Sequence, residues 1–289
     1  SAKWRPAERL GLSAVLREQL YGTKWATVPA LFADYLLSKR GNVVAKASVS
    51  RNFRFPTLND LYFLPGGNPD LKNETGVQYE AGLSFAVGRD AIYTLSGSAS
   101  WYDQRIDDWI LWLPTTKGFF SPVNIKEVHA YGVEVRADLS VMLARGLKLD
   151  LDGTFWWSPS INVGEPMSPA DQSVGKQLPY EPEFSGTATG RLAWRSWGLL
   201  WQFCYYSERY TMSSNDITLT GRLTPYVMNN LSLEKGFAFR RADLSLKATI
   251  NNLFNEEYLS VLSRPMPRMN CEFFINVKPK WGKKNRTAK

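Results

Sequence analysis

Apolar and polar side chains alternate along most of the chain. In the segment 43–52 the odd positions from 43 to 49 are small and apolar, whereas the even positions from 46 to 52 are polar. A period of two is the period of a β-strand whose two faces meet different surroundings. The same period recurs near 10–21, 28–37, 77–87, 93–101, 133–140, 147–152, 187–194, 199–206, 231–234, 244–250 and 273–277. The pattern predicts an all-β, antiparallel fold of about twelve strands, each close to the length that crosses a bilayer.

The connections between these segments are predicted to alternate strictly between short and long. Short turns fall near 88–90, 195–197 and 240–241, and long loops fall at 53–77, after 109, at 159–179, at 211–224 and after 255. Such asymmetry is typical of outer-membrane β-barrels, which place short turns on the periplasmic rim and long loops on the extracellular rim. A soluble β-sandwich binding module is the alternative, since it explains the alternation, although it does not explain the unequal rims.

Composition agrees with a barrel and limits the partners. The chain of 289 residues contains 13% aromatic residues, eleven of them Trp, and its mean hydropathy is −0.29. No apolar stretch is long enough for a transmembrane helix, and no charged-then-apolar leader opens the chain. The net charge of +8 is dispersed singly, except in a short basic tail at 282–289. Dispersed charge indicates a polar lumen within outer-membrane lipid, and nucleic acid is not expected as a partner.

Candidates for catalysis or metal binding are few. Cys204 and Cys271 lack any CxxC spacing, so two unpaired thiols and no metal site are expected. His129 is the only histidine, and the alternation places it beside Tyr131 on the lipid-facing side. An outer-membrane phospholipase-like enzyme is the alternative function, but it would want a serine where Tyr131 stands. The sequence therefore predicts no catalytic residue, no metal and no cofactor.

Two short boxes give the chain a family resemblance. Residues 53–56 read FRFP and are followed by TLNDLY at 57–62, while NPDL at 68–71 is followed by Glu74. These segments resemble the Phe-Arg-x-Pro and Asn-Pro-x-Leu boxes of TonB-dependent outer-membrane receptors. Further similar stretches lie at 124–134 and 251–258, so that the resemblance extends from about residue 8 to 281. It implies a receptor in the bacterial outer membrane that takes up a scarce nutrient by TonB-coupled active transport.

The resemblance also implies what surrounds this chain. A complete receptor of the family has about 22 strands and a plug domain inside the barrel. The chain, with residues 1–281 as barrel wall, would then be the C-terminal part of the barrel, without the plug and without the N-terminal segment that contacts TonB. Haem is disfavoured as the ligand because residues 57–67 contain no histidine. An iron-siderophore or cobalamin ligand is expected instead.

Two groups of site residues are predicted for the extracellular rim. Aromatic loop residues are expected to line the approach of the ligand, because flat rings bury much area at small entropic cost; they are Tyr62, Phe63, Trp109, Trp112, Phe119 and Phe120. The two Trp fit an interfacial girdle equally well. The boxes are expected to act as a scaffold that fixes one extracellular loop, through Phe53, Arg54, Pro56, Asn68, Pro69 and Leu71. In this scaffold Arg54 is expected to stack on a ring and to donate to loop carbonyls.

Overall fold

The computed structural model describes residues 1–22, 24–40, 42–89 and 92–280, without the side chains of residues 24, 114 and 126. The predicted basic tail at 282–289 lies outside this part. The described residues form eighteen strands and one short helix, α1. The elements in chain order are β1 Ala2–Ala7, β2 Leu10–Tyr21, β3 Lys24–Ser38, β4 Val43–Arg54, α1 Leu58–Tyr62, β5 Glu74–Arg89, β6 Tyr93–Pro114, β7 Phe120–Ala144, β8 Leu147–Trp157, β9 Ser160–Asn162, β10 Phe184–Trp194, β11 Trp197–Tyr206, β12 Arg209–Tyr210, β13 Arg222–Leu223, β14 Tyr226–Ala238, β15 Ala242–Asn251, β16 Leu259–Val261, β17 Arg264–Pro265 and β18 Asn270–Pro279.

The long strands form one continuous antiparallel sheet. Its order is β1-β2-β3-β4-β5-β6-β7-β8-β10-β11-β14-β15-β18, with β9 paired to β7 beside this path. The prediction of an all-β antiparallel barrel wall is confirmed. The path contains one strand more than predicted, since β1 has a proline and two basic residues and shows no alternation. The two end strands, β1 and β18, do not pair with each other in the described residues, so the wall is an open part of a barrel.

The two faces of the sheet differ in polarity as the alternation requires. On one face Leu139 lies opposite Leu151, and Val135 lies opposite Phe155. Large apolar residues of this face are exposed, with Phe273 80% and Leu31 57% accessible. A soluble sandwich would bury such a face under a second sheet. Here it is uncovered, as expected for a wall that faces lipid.

The predicted alternation of short turns and long loops holds only in part. β2 ends at Tyr21 and β3 begins at Lys24, so a short connection stands where strict alternation would require a long loop, and Gly22 there has a φ of +60°. The connection between β6 and β7 is also short, at residues 115–119, because both strands continue far beyond the neighbouring ones. Among the described residues no helix has the length and apolar character needed to cross a membrane.

Candidate functional site

The clamp loop, defined as residues 55–73 between β4 and β5, begins with a capped helix. The Thr57 hydroxyl accepts the Asp60 backbone N–H at 3.1 Å, and the Asp60 carboxylate accepts the Thr57 N–H at 2.8 Å. This reciprocal pair is a capping box, which satisfies two of the unpaired donors at the start of α1. The box therefore fixes the direction in which the chain leaves β4.

Three charged residues join the clamp loop to the sheet. Arg54 and Glu74 face each other in the β4–β5 register, and Arg54 Nε donates to Glu74 Oε2 at 2.5 Å while Nη2 donates to Oε1. Arg54 Nη1 also lies 3.5 Å from Asp60 Oδ2. Glu74 Oε1 accepts the backbone N–H of Ile110 at 2.8 Å. The expectation that Arg54 stacks on a ring and donates to loop carbonyls was wrong, because carboxylates occupy its planar guanidinium.

Asp60 is the buried centre of this network. Burial opposes its ionisation, but hydrogen bonds from the Thr57 backbone and hydroxyl and from the Trp112 indole, together with the charge of Arg54, hold the pKa of Asp60 below its usual value. The Trp112 indole Nε1 donates to Asp60 Oδ1 at 3.0 Å. The Asp60 carboxylate is therefore charged at neutral pH, 3.5 Å from the Arg54 guanidinium.

The second box holds the end of the clamp loop against β7. Asn68 donates its backbone N–H to the Asp60 carbonyl at 2.8 Å and its side-chain Nδ2 to the Pro122 carbonyl at 3.1 Å. Lys72 and Asn124 exchange two hydrogen bonds, at 2.9 and 3.2 Å. The loop is thus bonded to both strands of the extended β6–β7 hairpin.

One glycine position explains how closely the loop and hairpin approach. A Cβ on Gly66 would overlap the backbone carbonyl oxygen of Phe120 and would lie 3.4 Å from the Trp112 ring. Because the obstacle is backbone, a larger residue would displace the loop from β7. The packing of the clamp loop therefore depends on the absence of a side chain at this position.

The structure places the predicted scaffold residues as follows. Phe53 packs edge-to-face on Phe55 with centroids 4.7 Å apart, and Leu71 is buried. Pro56 is buried too, whereas Pro69 is exposed. Sequence reasoning missed the roles of Asp60 and Glu74. The Thr57-x-x-Asp60 spacing was a readable capping signal, but the Arg54–Glu74 pair depends on a strand register that no local pattern gives.

A cavity of about 370 Å³, called the rim cavity, lies beside the extended hairpin. Its lining residues are Trp109, Ile110, Leu111, Trp112, Phe120, Leu178, Pro179, Tyr180, Glu181 and Val261. Three of the six predicted aromatic residues are among them. They were expected in a loop, but Trp109 and Trp112 lie on β6 and Phe120 begins β7. The extended strands hold these rings more rigidly than a loop would.

The other three predicted aromatic residues are not in the lining of the rim cavity. Tyr62 is 64% exposed at the end of α1. Phe63 packs edge-to-face on Trp112 with centroids 5.9 Å apart, behind the cavity wall. Phe119 closes the β6–β7 connection, where its carbonyl accepts the Thr115 N–H at 2.8 Å. The structure therefore separates the predicted group into a cavity set and an outer set.

The opposite wall of the cavity comes from the connection between β8 and β10. Leu178 packs with Ile125 and Val128 in a small buried core, which supports the cavity from below. Tyr180 has a φ of +63°, a conformation that is rare for a bulky residue, and it donates its N–H to the Tyr210 carbonyl at 2.7 Å. Glu181 is exposed, yet partial desolvation by the neighbouring protein raises the pKa of its carboxyl. This carboxyl is the only charged group among the lining residues.

Hydrogen bonds join the rim connections to one another. Gln177 donates its N–H to Asn215 Oδ1 and accepts from Asn215 Nδ2 at its carbonyl, both at 2.8 Å. Arg209 donates from Nη2 to the Leu259 carbonyl at 3.1 Å and lies over the ring of Tyr226, 5.1 Å from its centroid. The connections before β10, before β14 and before β18 are therefore linked in series.

The remaining candidates for chemistry stand apart from the rim cavity. His129 Nε2 lies 2.8 Å from Asp103 Oδ2, and its ring packs against Tyr131 with centroids 4.8 Å apart. Cys204 and Cys271 are free cysteines. The described ranges contain no group of three or more His, Cys, Asp or Glu residues that could hold a metal ion.

Comparisons with known proteins agree with this architecture. The family described as TonB dependent receptor-like, beta-barrel matches residues 1–253. The Vitamin B12 transporter BtuB of Photobacterium profundum is 27% identical over 228 residues, which are 76% of this chain and 33% of that protein. The chain therefore spans about a third of the length of this curated relative.

Two solved structures show the same fold. The Copper transporter OprC superposes with a TM-score of 0.68 and 17% identity, over 95% of this chain and 46% of that one. The Ferric-Catecholate import receptor Fiu from K12 E. coli also gives 0.68, with 14% identity, over 96% of this chain and 43% of that one. At these identities the likeness concerns the barrel wall alone.

Proposed function

We propose that this chain, which belongs to the TonB-dependent receptor family, forms barrel wall and extracellular rim of a receptor that imports a scarce nutrient by TonB-coupled active transport. The barrels of this family lie in the bacterial outer membrane, and its members are receptors and transporters rather than enzymes. The ligand is an iron-siderophore or cobalamin, and the sequence relative named a Vitamin B12 transporter favours cobalamin. TonB contact and the plug belong to parts of the receptor beyond this chain.

The main observation behind the proposal is the rim cavity, which lies at the end of the strands of the barrel wall. Rings of Trp109, Trp112 and Phe120 surround a space at the end of the strands, and the clamp loop fixes the hairpin that presents them. A cavity of this size, lined by aromatic side chains with one polar group, is the usual form of a small-molecule site. The predicted ligand approach through these aromatic residues remains part of the proposal.

An uptake assay in a bacterial host tests the proposal. The complete receptor that contains this chain is expressed in a host that lacks its own receptors for vitamin B12 and ferric siderophores, and growth is measured on each nutrient at limiting concentration. We expect growth on one of these nutrients, and loss of that growth when TonB is deleted. Equal growth with and without TonB would contradict energy-coupled transport.

A matched pair of variants connects the uptake to the rim. Trp109→Ala removes a ring from the cavity, whereas Trp4→Ala removes an exposed ring from the edge strand β1. We expect Trp109→Ala to weaken binding of the nutrient about tenfold or more, since a buried aromatic anchor contributes about 2 kcal/mol to binding. Trp4→Ala should leave binding unchanged at equal receptor abundance in the membrane. Equal binding by both variants would place the ligand elsewhere.

A further inference from the structure

The rim cavity has an unusual balance of charge and hydrogen-bonding groups. Its ten lining residues contain one carboxylate and no basic side chain. Four of them are aromatic, and the faces of aromatic rings carry partial negative charge. A cation or a polar N–H group placed over such rings is attracted, whereas an anion is repelled. The side chains that line the cavity therefore offer a carboxylate and ring faces to a ligand, and no positive charge.

Several donors near the cavity are already used within the protein. The backbone N–H of Ile110 donates to Glu74, and that of Leu178 donates to the Ser160 carbonyl at 2.8 Å. The N–H of Tyr180 donates to Tyr210, and Pro179 has none to give. The Trp112 indole N–H is donated to Asp60. A bound anion would need such donors, and these four are occupied.

Glu181 offers the opposite kind of group. The residue is exposed, neighbouring protein groups desolvate its carboxyl in part, and the described residues show no hydrogen bond or ion pair to its side chain. A carboxylate in such surroundings gains more from a hydrogen-bond donor than a fully hydrated one does. The left-handed backbone at Tyr180, held by its bond to Tyr210, fixes the chain immediately before it. Strained backbone of this kind is often found at binding sites.

We propose that the rim cavity binds an uncharged or cationic ring system of the ligand that carries amide or amine N–H groups, that Glu181 accepts from these groups, and that the site discriminates against polyanionic ligands. The inference rests on the proposed function and makes it more specific, since it separates two ligand classes. A cavity of 370 Å³ takes one ring system of a larger ligand rather than the whole molecule.

Binding of three probes to the complete receptor tests this charge preference. The probes are vitamin B12, an uncharged molecule with many amide groups; ferrioxamine B, a cationic iron hydroxamate; and ferric enterobactin, a polyanionic catecholate. We expect the unmodified receptor to bind the uncharged or the cationic probe at least about a hundredfold more tightly than ferric enterobactin, because like-charge contact and unpaired polar groups are both strongly disfavoured.

Variants of Glu181 assign the preference to one group. Glu181→Gln keeps the shape of the side chain and a hydrogen-bond acceptor. It should weaken binding of the preferred probe by about threefold to tenfold, since a charge-assisted hydrogen bond becomes a neutral one. Glu181→Lys should weaken this binding further, and it should reduce the ratio of the affinity for the preferred probe to the affinity for ferric enterobactin. Glu183→Gln is the matched control, because Glu183 lies two residues away and accepts from the Trp157 indole at 3.2 Å, outside the cavity lining.

The possible outcomes distinguish a failure of the charge preference from a failure of the proposed uptake function. Preferential binding of ferric enterobactin by the unmodified receptor, or binding of none of the three probes, overturns the inference. The inference is also overturned if Trp109→Ala weakens binding but Glu181→Lys keeps the same preference among the probes. That result would leave the rim site and the uptake function intact. Uptake without TonB would instead overturn the function while leaving the charge preference measurable.

Discussion

Removal of the Arg54 side chain should release the clamp loop without destroying the barrel wall. Arg54→Ala deletes both hydrogen bonds to Glu74 and the ion pair with Asp60. Glu74, whose side chain is only 7% exposed, then keeps the single bond from Ile110. Loss of one partner from a fully buried pair costs roughly 3–5 kcal/mol. Arg54 is 43% exposed, so water can partly replace it. We therefore expect Arg54→Ala to lower the free energy of opening of the clamp loop by about 2 kcal/mol.

That free energy should appear as opening of the loop. A change of about 2 kcal/mol alters an equilibrium about thirtyfold. Lys72 is the only trypsin site between residues 64 and 76, and it is bonded to Asn124 when the loop is closed. Limited trypsin digestion of the complete receptor in membrane vesicles should therefore cut at Lys72 about thirty times faster in Arg54→Ala, since cleavage follows the open population when reclosing is fast.

The control for this experiment lies on the same strand. Arg51 is exposed and donates one bond, at 3.3 Å, to the Thr27 carbonyl. Arg51→Ala should change the cutting rate less than twofold, as exposed polar contacts contribute little. Ligand binding should weaken only moderately in Arg54→Ala. If the loop stays resistant while binding is lost completely, Arg54 touches the ligand and the scaffold interpretation is wrong.

Four further predictions follow from the same contacts. Trp112→Phe removes the indole donor to Asp60 at 3.0 Å, so trypsin should cut the clamp loop about fivefold to tenfold faster. The pKa of Asp60 is lower in the folded loop than in the unfolded chain. Its contribution to the stability of the closed loop is therefore complete above about pH 4 and is lost as the pH falls through the pKa of the folded state. Cutting of the loop by pepsin should rise in that range, and less steeply in Asp60→Asn. Asn215→Ala breaks both bonds to Gln177, and hydrogen exchange should quicken in the connections before β10 and β14 together. His129→Ala, outside the cavity, should leave nutrient uptake unchanged.

The strand pattern was readable from the sequence because it is local. In the wall the polarity of each residue depends only on which face it occupies, so alternation predicts strands such as β8 and β15 with little error. The extended hairpin was not readable in this way. Residues 102–114 carry aromatic and charged residues on both faces, since loops cover one side of them, and this mixture resembles a loop.

The site was predictable in part for a related reason. The boxes at 53–56 and 68–71 marked the clamp loop, and three of the six predicted aromatic residues lie among the ten that line the rim cavity. The wall from Leu178 to Glu181 lies about sixty residues further along the chain and has no motif of its own. Its position follows from hydrogen bonds between Gln177 and Asn215 and between Tyr180 and Tyr210, which are tertiary contacts.

The bonds between rim connections bear on how receptors of this kind could be re-engineered. A designer who transplants the connection before β14 from a relative would remove the Asn215 amide, which pairs with the backbone N–H and carbonyl of Gln177 in the connection before β10. The same holds for the Arg209 side chain, which donates to the backbone carbonyl of Leu259 in the connection before β18. Transplants should therefore succeed in blocks that include both members of each pair.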